Sequence, residues 1–324
     1  GEKKVQVFRR FLPSGRIGHN KVLIYVDREG TPRAVLTGST NWTSSGLCTQ
    51  SNNTLVFESR ELAALYLESW QALRDDTIAA GLATKAAPVK GLQSAELRAA
   101  NAEPRPVVDL GRGRTVRVWF SPNTPKLVPK VGAELPPDLA EVWEILERAK
   151  QSVLFLAFMP GKAGSLGSQH LVKRLATLAA EKPRLFVRGA VSDPGLVDEF
   201  DQATFASETI ESATVVSPAG MVGDFEDWLQ EIYKYGHAVV HDKTIVVDPW
   251  SADCAVITGS HNLGFRASHN NDENLVILRG DRAVAAAYAT HVMDVVEHYR
   301  WRWFEQKRLM RLALAEVGGD RKKV

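Results

Sequence analysis

One order of elements occurs twice in this chain, and a repeat of that size calls for two lobes of like fold. Residues 17 to 73 read as strand, turn, strand, polar loop, strand and helix. The first apolar run is Val22 to Val26, its turn is Asp27-Arg28-Glu29-Gly30, and the second run is Ala34 to Thr37. Thr54 to Phe57 and a helix from about Glu61 to Leu73 complete the unit. Residues 237 to 300 repeat it with strands at Ala238 to Val247, Cys254 to Thr258 and Asn274 to Leu278, then a long helix from Asp281 past Tyr299.

The rest of the chain fits an α/β reading. A stretch rich in Ala, Lys, Arg, Pro and Gly over 81–114 reads as an interlobe linker. After it come a strand from Thr115, a helix over Pro137 to Lys150, a strand over Val153 to Phe158, a helix over Gln169 to Ala180 and a strand over Arg184 to Val191. The expected domains are a first lobe over 1–80, the linker 81–114, a second lobe over 115–305 and a basic C-terminal helix or tail over 306–324. Each lobe is expected to be a mixed sheet flanked by helices, the two related by a pseudo-twofold axis. The lobes are unequal in length: more than a hundred residues separate Thr115 from the second lobe's first motif, and about eighteen precede its counterpart. The front strands of the first lobe are therefore expected on a second chain that completes it.

Chemistry-bearing residues repeat as well. His19-Asn20-Lys21 is followed by Gly38-Ser39-Thr40-Asn41, and His241-Asp242-Lys243 by Gly259-Ser260-His261-Asn262 and then Glu273. Residues two apart on a strand share a face, so each His points the same way as its Lys. A lysine beside an imidazole supplies positive charge for a phosphate oxygen. Asn41 and Asn262 can donate hydrogen bonds to the same group, while Ser39 and Ser260, next to glycine, allow a close approach. Two imidazoles on opposite sides of one phosphorus suit an in-line displacement. Odd spacing turns Asp248 away from His241, into a structural role, whereas His237 shares its parity and is a candidate for the site wall.

These motifs resemble the H-x-K-x4-D and G-S-x-N signature of the phospholipase D superfamily, over about 17 to 75 and 237 to 300. The resemblance implies a phosphodiesterase that works through a phosphohistidine, without metal or other cofactor. By analogy His19 is the nucleophile and His241 the acid, though Glu273 could equally activate His241 as nucleophile. The first half departs from the signature: Asp27 falls one residue late, and aligning Leu55-Val56 with Leu275-Val276 places Asn53 where the second half has Glu273.

Nucleic acid is the expected substrate, because the run from Gly38 to Thr43 with Asn52-Asn53 looks like the small nucleases of the superfamily and Trp42 offers a face for a base. A phospholipid headgroup is the alternative, and a decayed phosphodiester-binding protein the third. Lys and Arg total 40 against 38 Asp and Glu, so net charge argues for no partner. No apolar run reaches the roughly 20 residues that span a bilayer, no signal-peptide core opens the chain, and Cys48 and Cys254, expected as core residues, form no framework. A cytoplasmic location is the expectation.

Overall fold

The computed structural model describes residues 5–81, 88–127, 134–161, 170–193, 196, 215–216 and 240–320, with side chains in the last helix described as far as 301. Strands β1 (Leu23–Val26), β2 (Pro32–Gly38) and β3 (Thr54–Phe57) form a small sheet in that order. Helix α1 (Ser44–Cys48) bridges β2 to β3. Helix α2 (Arg60–Ala79) follows, its first turn capped by the Ser59 hydroxyl accepting from Leu62 N. The large sheet has the order β4-β5-β11-β10-β9-β6-β7-β8. Its strands are β4 (Val108–Gly111), β5 (Arg114–Ser121), β6 (Ser152–Ala157), β7 (Phe186–Val191), β8 (Val215–Val216), β9 (Lys243–Val247), β10 (Ala255–Gly259) and β11 (Glu273–Arg279). Helices α3 (Ala95–Ala102), α4 (Pro137–Glu147), α5 (Leu171–Glu181), α6 (Phe265–Asn270) and α7 (Arg282–Asp320) complete the described elements.

The layers follow from where the apolar faces lie. One core joins the inner face of the small sheet, α2, α7 and one face of the large sheet, through Val35, Phe57, Tyr66, Leu156, Val246 and Val292 among others. A second core packs α4, α5 and α6 on the other face of the large sheet, around Phe155, Ile245, Ile257 and Leu175. Strands β6 and β9 are thus covered on both sides and buried along their whole length. Strand β1 alternates between exposed and half-buried residues instead.

Three expectations are corrected. The large sheet is mixed, with β6, β7 and β8 parallel, but the first-half sheet is wholly antiparallel. The 81–114 segment carries α3 and the edge strand β4 rather than serving as a bare linker. The H-x-K residues precede their strands or lie at their start, because the backbone there is committed across the lobes: His19 N donates to Asp272 O and His241 N to Ser51 O, each at 2.9 Å. Cys254 is buried as expected, but Cys48 is exposed.

Candidate active site

The Gly of each G-S-x-N run lets two strands close up. A Cβ on Gly38 would lie 2.2 Å from Asn53 O, and one on Gly259 would lie 2.4 Å from Asn274 O. The pairing that results sets the register, Gly38 opposite Thr54 and Gly259 opposite Leu275. Asn53 therefore matches Asn274, and it is Asn52 that matches Glu273. The sequence alignment was one residue out, because Leu55-Val56 and Leu275-Val276 look alike while the ladder pairs them differently.

Asn53 and Asn274 tie the lobes together by matched contacts. Asn53 Nδ2 donates to Asp242 Oδ1 (2.8 Å) and Thr244 Oγ1 (3.0 Å), and its Oδ1 accepts from Thr258 (2.8 Å) and Tyr288 (3.1 Å). Asn274 Nδ2 donates to Asn20 Oδ1 (2.8 Å), and its Oδ1 accepts from Thr37 (2.7 Å) and Tyr66 (3.0 Å). Ser39 and Ser260, expected to touch substrate, point into this wall: their hydroxyls accept from the backbone N–H of Asn53 and Asn274, both at 3.0 Å. Buried amides satisfied on both ends hold one arrangement firmly.

These contacts bring His19 and His241 together, ring centres 6.4 Å apart and planes inclined at 73°. Behind them the surroundings differ. Glu273 Oε1 lies 3.2 Å from His19 Nδ1, and the carboxylate also accepts from Asn262 N (2.9 Å) and Asn271 Nδ2 (2.8 Å). Burial alone would raise the Glu273 pKa, but His19, His261 and Asn271 outweigh it and hold the group below the usual value. His241 Nδ1 instead lies 2.8 Å from Asn52 Oδ1, a neutral amide that fixes the ring as an Nδ1–H donor. Burial, then Lys243, Lys21 and His19, press the His241 pKa far below that of a free imidazole. Phe158 adds an apolar wall, its ring centre 4.9 Å from that of His241 and 4.7 Å from Lys243 Nζ.

Both lysines are buried and donate to the carbonyl of their own motif histidine, Lys21 Nζ to His19 O at 2.5 Å and Lys243 Nζ to His241 O. Burial drives the Lys21 pKa down to about 8 with Glu273 opposing, and lowers that of Lys243 strongly. A charge required at Lys21 is present below about pH 8 and lost above it. The kcat/KM for a phosphodiester is accordingly expected to fall by roughly tenfold per pH unit above that value, and to stay level in Lys21→Arg, whose guanidinium does not titrate there. A wild-type profile flat to pH 9.5 would show that the ammonium is not needed.

Asn41 and Asn262 are half-buried, and Asn262 Oδ1 is a buried atom without a hydrogen-bond partner among the described residues. Trp42 is exposed beside Asn41, whereas His237 lies outside the described residues. Asp248 faces away, accepting from the backbone N–H of Lys150, Gln151 and Ser152 at 2.7 to 2.9 Å. Asp27 is a turn residue that accepts from Glu29 N and Thr31 N.

Sequence reasoning missed two supports. Asn52 was passed over because its neighbour took its place in the alignment. His261, the variable position of the second motif, is buried with Nε2 3.2 Å from Asp138 and 3.0 Å from Ser268, while Nδ1 accepts from Leu263 N. It shapes the turn that presents Asn262, and only the distant Asp138 gives it meaning.

Residues 144–295 match the family described as cardiolipin synthase, phospholipase D-like domain. Among solved structures, the phosphatidylserine synthase of Haemophilus influenzae is similar over 93% of this chain and 70% of its own, at 12% identity and a TM-score of 0.50. A phospholipase D family member, Nuc from Salmonella typhimurium, aligns over 58% of this chain and 94% of its own, at 18% identity and a TM-score of 0.36. No curated protein sequence matches.

Proposed function

We propose that this chain, whose residues 144–295 match a phospholipase D-like family, cleaves phosphodiesters through a phosphohistidine on His19, with His241 protonating the leaving oxygen. The observation that carries this reading is the facing pair of imidazoles with unlike partners, Glu273 behind one and Asn52 behind the other. Attack by His19 Nε2 forms an N–P bond and leaves positive charge on the ring, which the Glu273 carboxylate stabilises. The P–O bond breaks as His241 gives its proton to the departing oxygen. In the free site burial and the lysines keep His241 neutral. Its Nε2 takes up that proton as the phosphate enters, whose negative charge offsets the lysines, and the amide behind the ring lets the proton go again. Water then loses a proton to His241 and attacks phosphorus, which frees His19. Lys21, Lys243, Asn41 and Asn262 hold the phosphoryl oxygens throughout.

Positive charge for the phosphate thus comes from side chains, so cleavage is expected to persist in EDTA. The substrate we infer is a nucleic acid strand, supported by exposed Trp42 next to Asn41, where a base can stack. A phospholipid is the second reading, favoured by exposed Met159 beside Phe158 at the His241 side and by the family's description. Incubation in EDTA with single-stranded DNA, RNA and anionic phospholipid vesicles separates the two. Strand cleavage supports the first and headgroup release the second. Loss of all activity in EDTA, restored by a divalent ion, would overturn the proposed chemistry.

A further inference from the structure

The two motif histidines are backed by matched runs from the opposite half, Ser51-Asn52-Asn53 behind His241 and Asp272-Glu273-Asn274 behind His19. In each run the first residue accepts the histidine N–H and the second meets its ring. Each run is also fastened by a buried carboxylate, and here the halves differ. Asp272 is part of its run and pairs with Arg10, a cation that does not titrate. Asp242 lies outside its run and reaches both ends of it: Oδ1 accepts from Asn53 Nδ2 at 2.8 Å and Oδ2 from the Ser51 hydroxyl. The middle residue, Asn52, is the amide behind the His241 ring. It is held otherwise by Ser39 Oγ (2.9 Å) and Gly46 O (2.8 Å), both within the first half. The cation beside Asp242 is His291 of α7, with Nε2 3.2 Å from Oδ2 and 38% of the side chain exposed.

The first half has a neutral pair at the matching places. Asn20 stands where the second half has Asp242. Tyr66 donates to Asn274 Oδ1 and Tyr288 to Asn53 Oδ1, which aligns α2 with α7. Buried Ser69, three residues past Tyr66, then matches His291, three past Tyr288. An acid and a histidine thus occur together on the His241 side only. We propose that His291 is a positioning residue for His241: charged, it locks Asp242 across Ser51 and Asn53 and so holds the Asn52 amide against the His241 ring. In its consequence for turnover this rests on the catalytic reading of His241; the positioning itself does not. The hydrogen bond and charge of Asp242 hold the His291 imidazole above its free pKa against partial burial, and Asp294 on the same helix adds to the pull. The pair is therefore ionic below that raised value and loses its charge as pH rises through it. The Arg10 support behind His19 does not vary over this range.

The ring nitrogens of His241, read by NMR in the whole chain labelled at histidine and assigned by their loss in His241→Gln, report its tautomer without turnover. Wild-type His241 is expected to hold the Nδ1–H form while His291 is charged and to admit the Nε2–H form as His291 titrates. His291→Ala should show the mixture throughout. His291→Gln keeps a donor near Asp242 but does not titrate, so it should hold the Nδ1–H form across the range in which wild-type His291 loses its proton. A His241 spectrum that ignores the titration of His291 overturns the proposal, as does a pH dependence that persists unchanged in His291→Gln, and these two tests stand even if His291→Ala does not fold. On a phosphodiester, His291→Ala should lose roughly tenfold in kcat with KM little changed, and His291→Gln should restore most of it. An unchanged kcat in His291→Ala equally refutes the positioning role. A wild type inactive on every phosphodiester would count against the catalytic reading instead, and the two failures are told apart because the spectra need no turnover.

Discussion

His19→Ala is expected to lower phosphodiester turnover by about 10⁴-fold or more, since it removes the proposed nucleophile. His241→Ala should be nearly as damaging on a substrate whose leaving oxygen needs a proton. The two variants part on an activated ester. A nitrophenyl leaving group departs without protonation, so His241→Ala should recover much of the first step and accumulate phosphoenzyme, its second step lacking a base. His19→Ala should recover nothing. A quench experiment with labelled substrate reads both. The opposite pattern would reverse the order of the histidines, against the placement of Glu273 on His19.

The largest stability effect is expected at Arg10. Its guanidinium reaches Asp272 Oδ2 at 2.6 Å, Asp76 Oδ2 at 2.7 Å and Thr77 Oγ1 at 3.0 Å. Both carboxylates are buried, and Asp272 adjoins Glu273 and supplies the carbonyl that His19 N meets. Arg10→Met leaves Asp272 without its cation, at a cost of about 3 kcal/mol in urea unfolding near neutral pH. Burial already raises the Asp272 pKa with Arg10 opposing, and the variant would raise it further. A raised carboxylate destabilises the fold above its unfolded value and ceases to do so once protonated. The loss should therefore shrink as pH falls towards 4. A loss independent of pH would mean that Arg10 acts by packing alone.

Most of the candidate site was legible because its residues sit in short runs that the fold keeps together. His19, Lys21, His241 and Lys243 needed only that. The partners were harder. Which imidazole Glu273 serves depends on the crossing of the lobes, and no local pattern carries it. Asn52 and Asn53 are neighbours in sequence but do different work, one behind His241 and one across the lobe boundary, and only the Gly38–Thr54 rung separates them. The apolar strands of both halves look alike in sequence. That β9 is buried on two faces and β1 on one follows from what packs against them, which single-strand composition does not encode.

The reciprocal amides Asn53 and Asn274 have a consequence for divisibility. Each is anchored in its own half, yet each spends part of its bonding on the other: Asp242 and Thr244 in one direction, Asn20, Thr37 and Tyr66 in the other. Separated halves would each expose an unfilled amide and an unsupported histidine, so neither would retain a fraction of the activity. The repeat doubles the motif without making a spare.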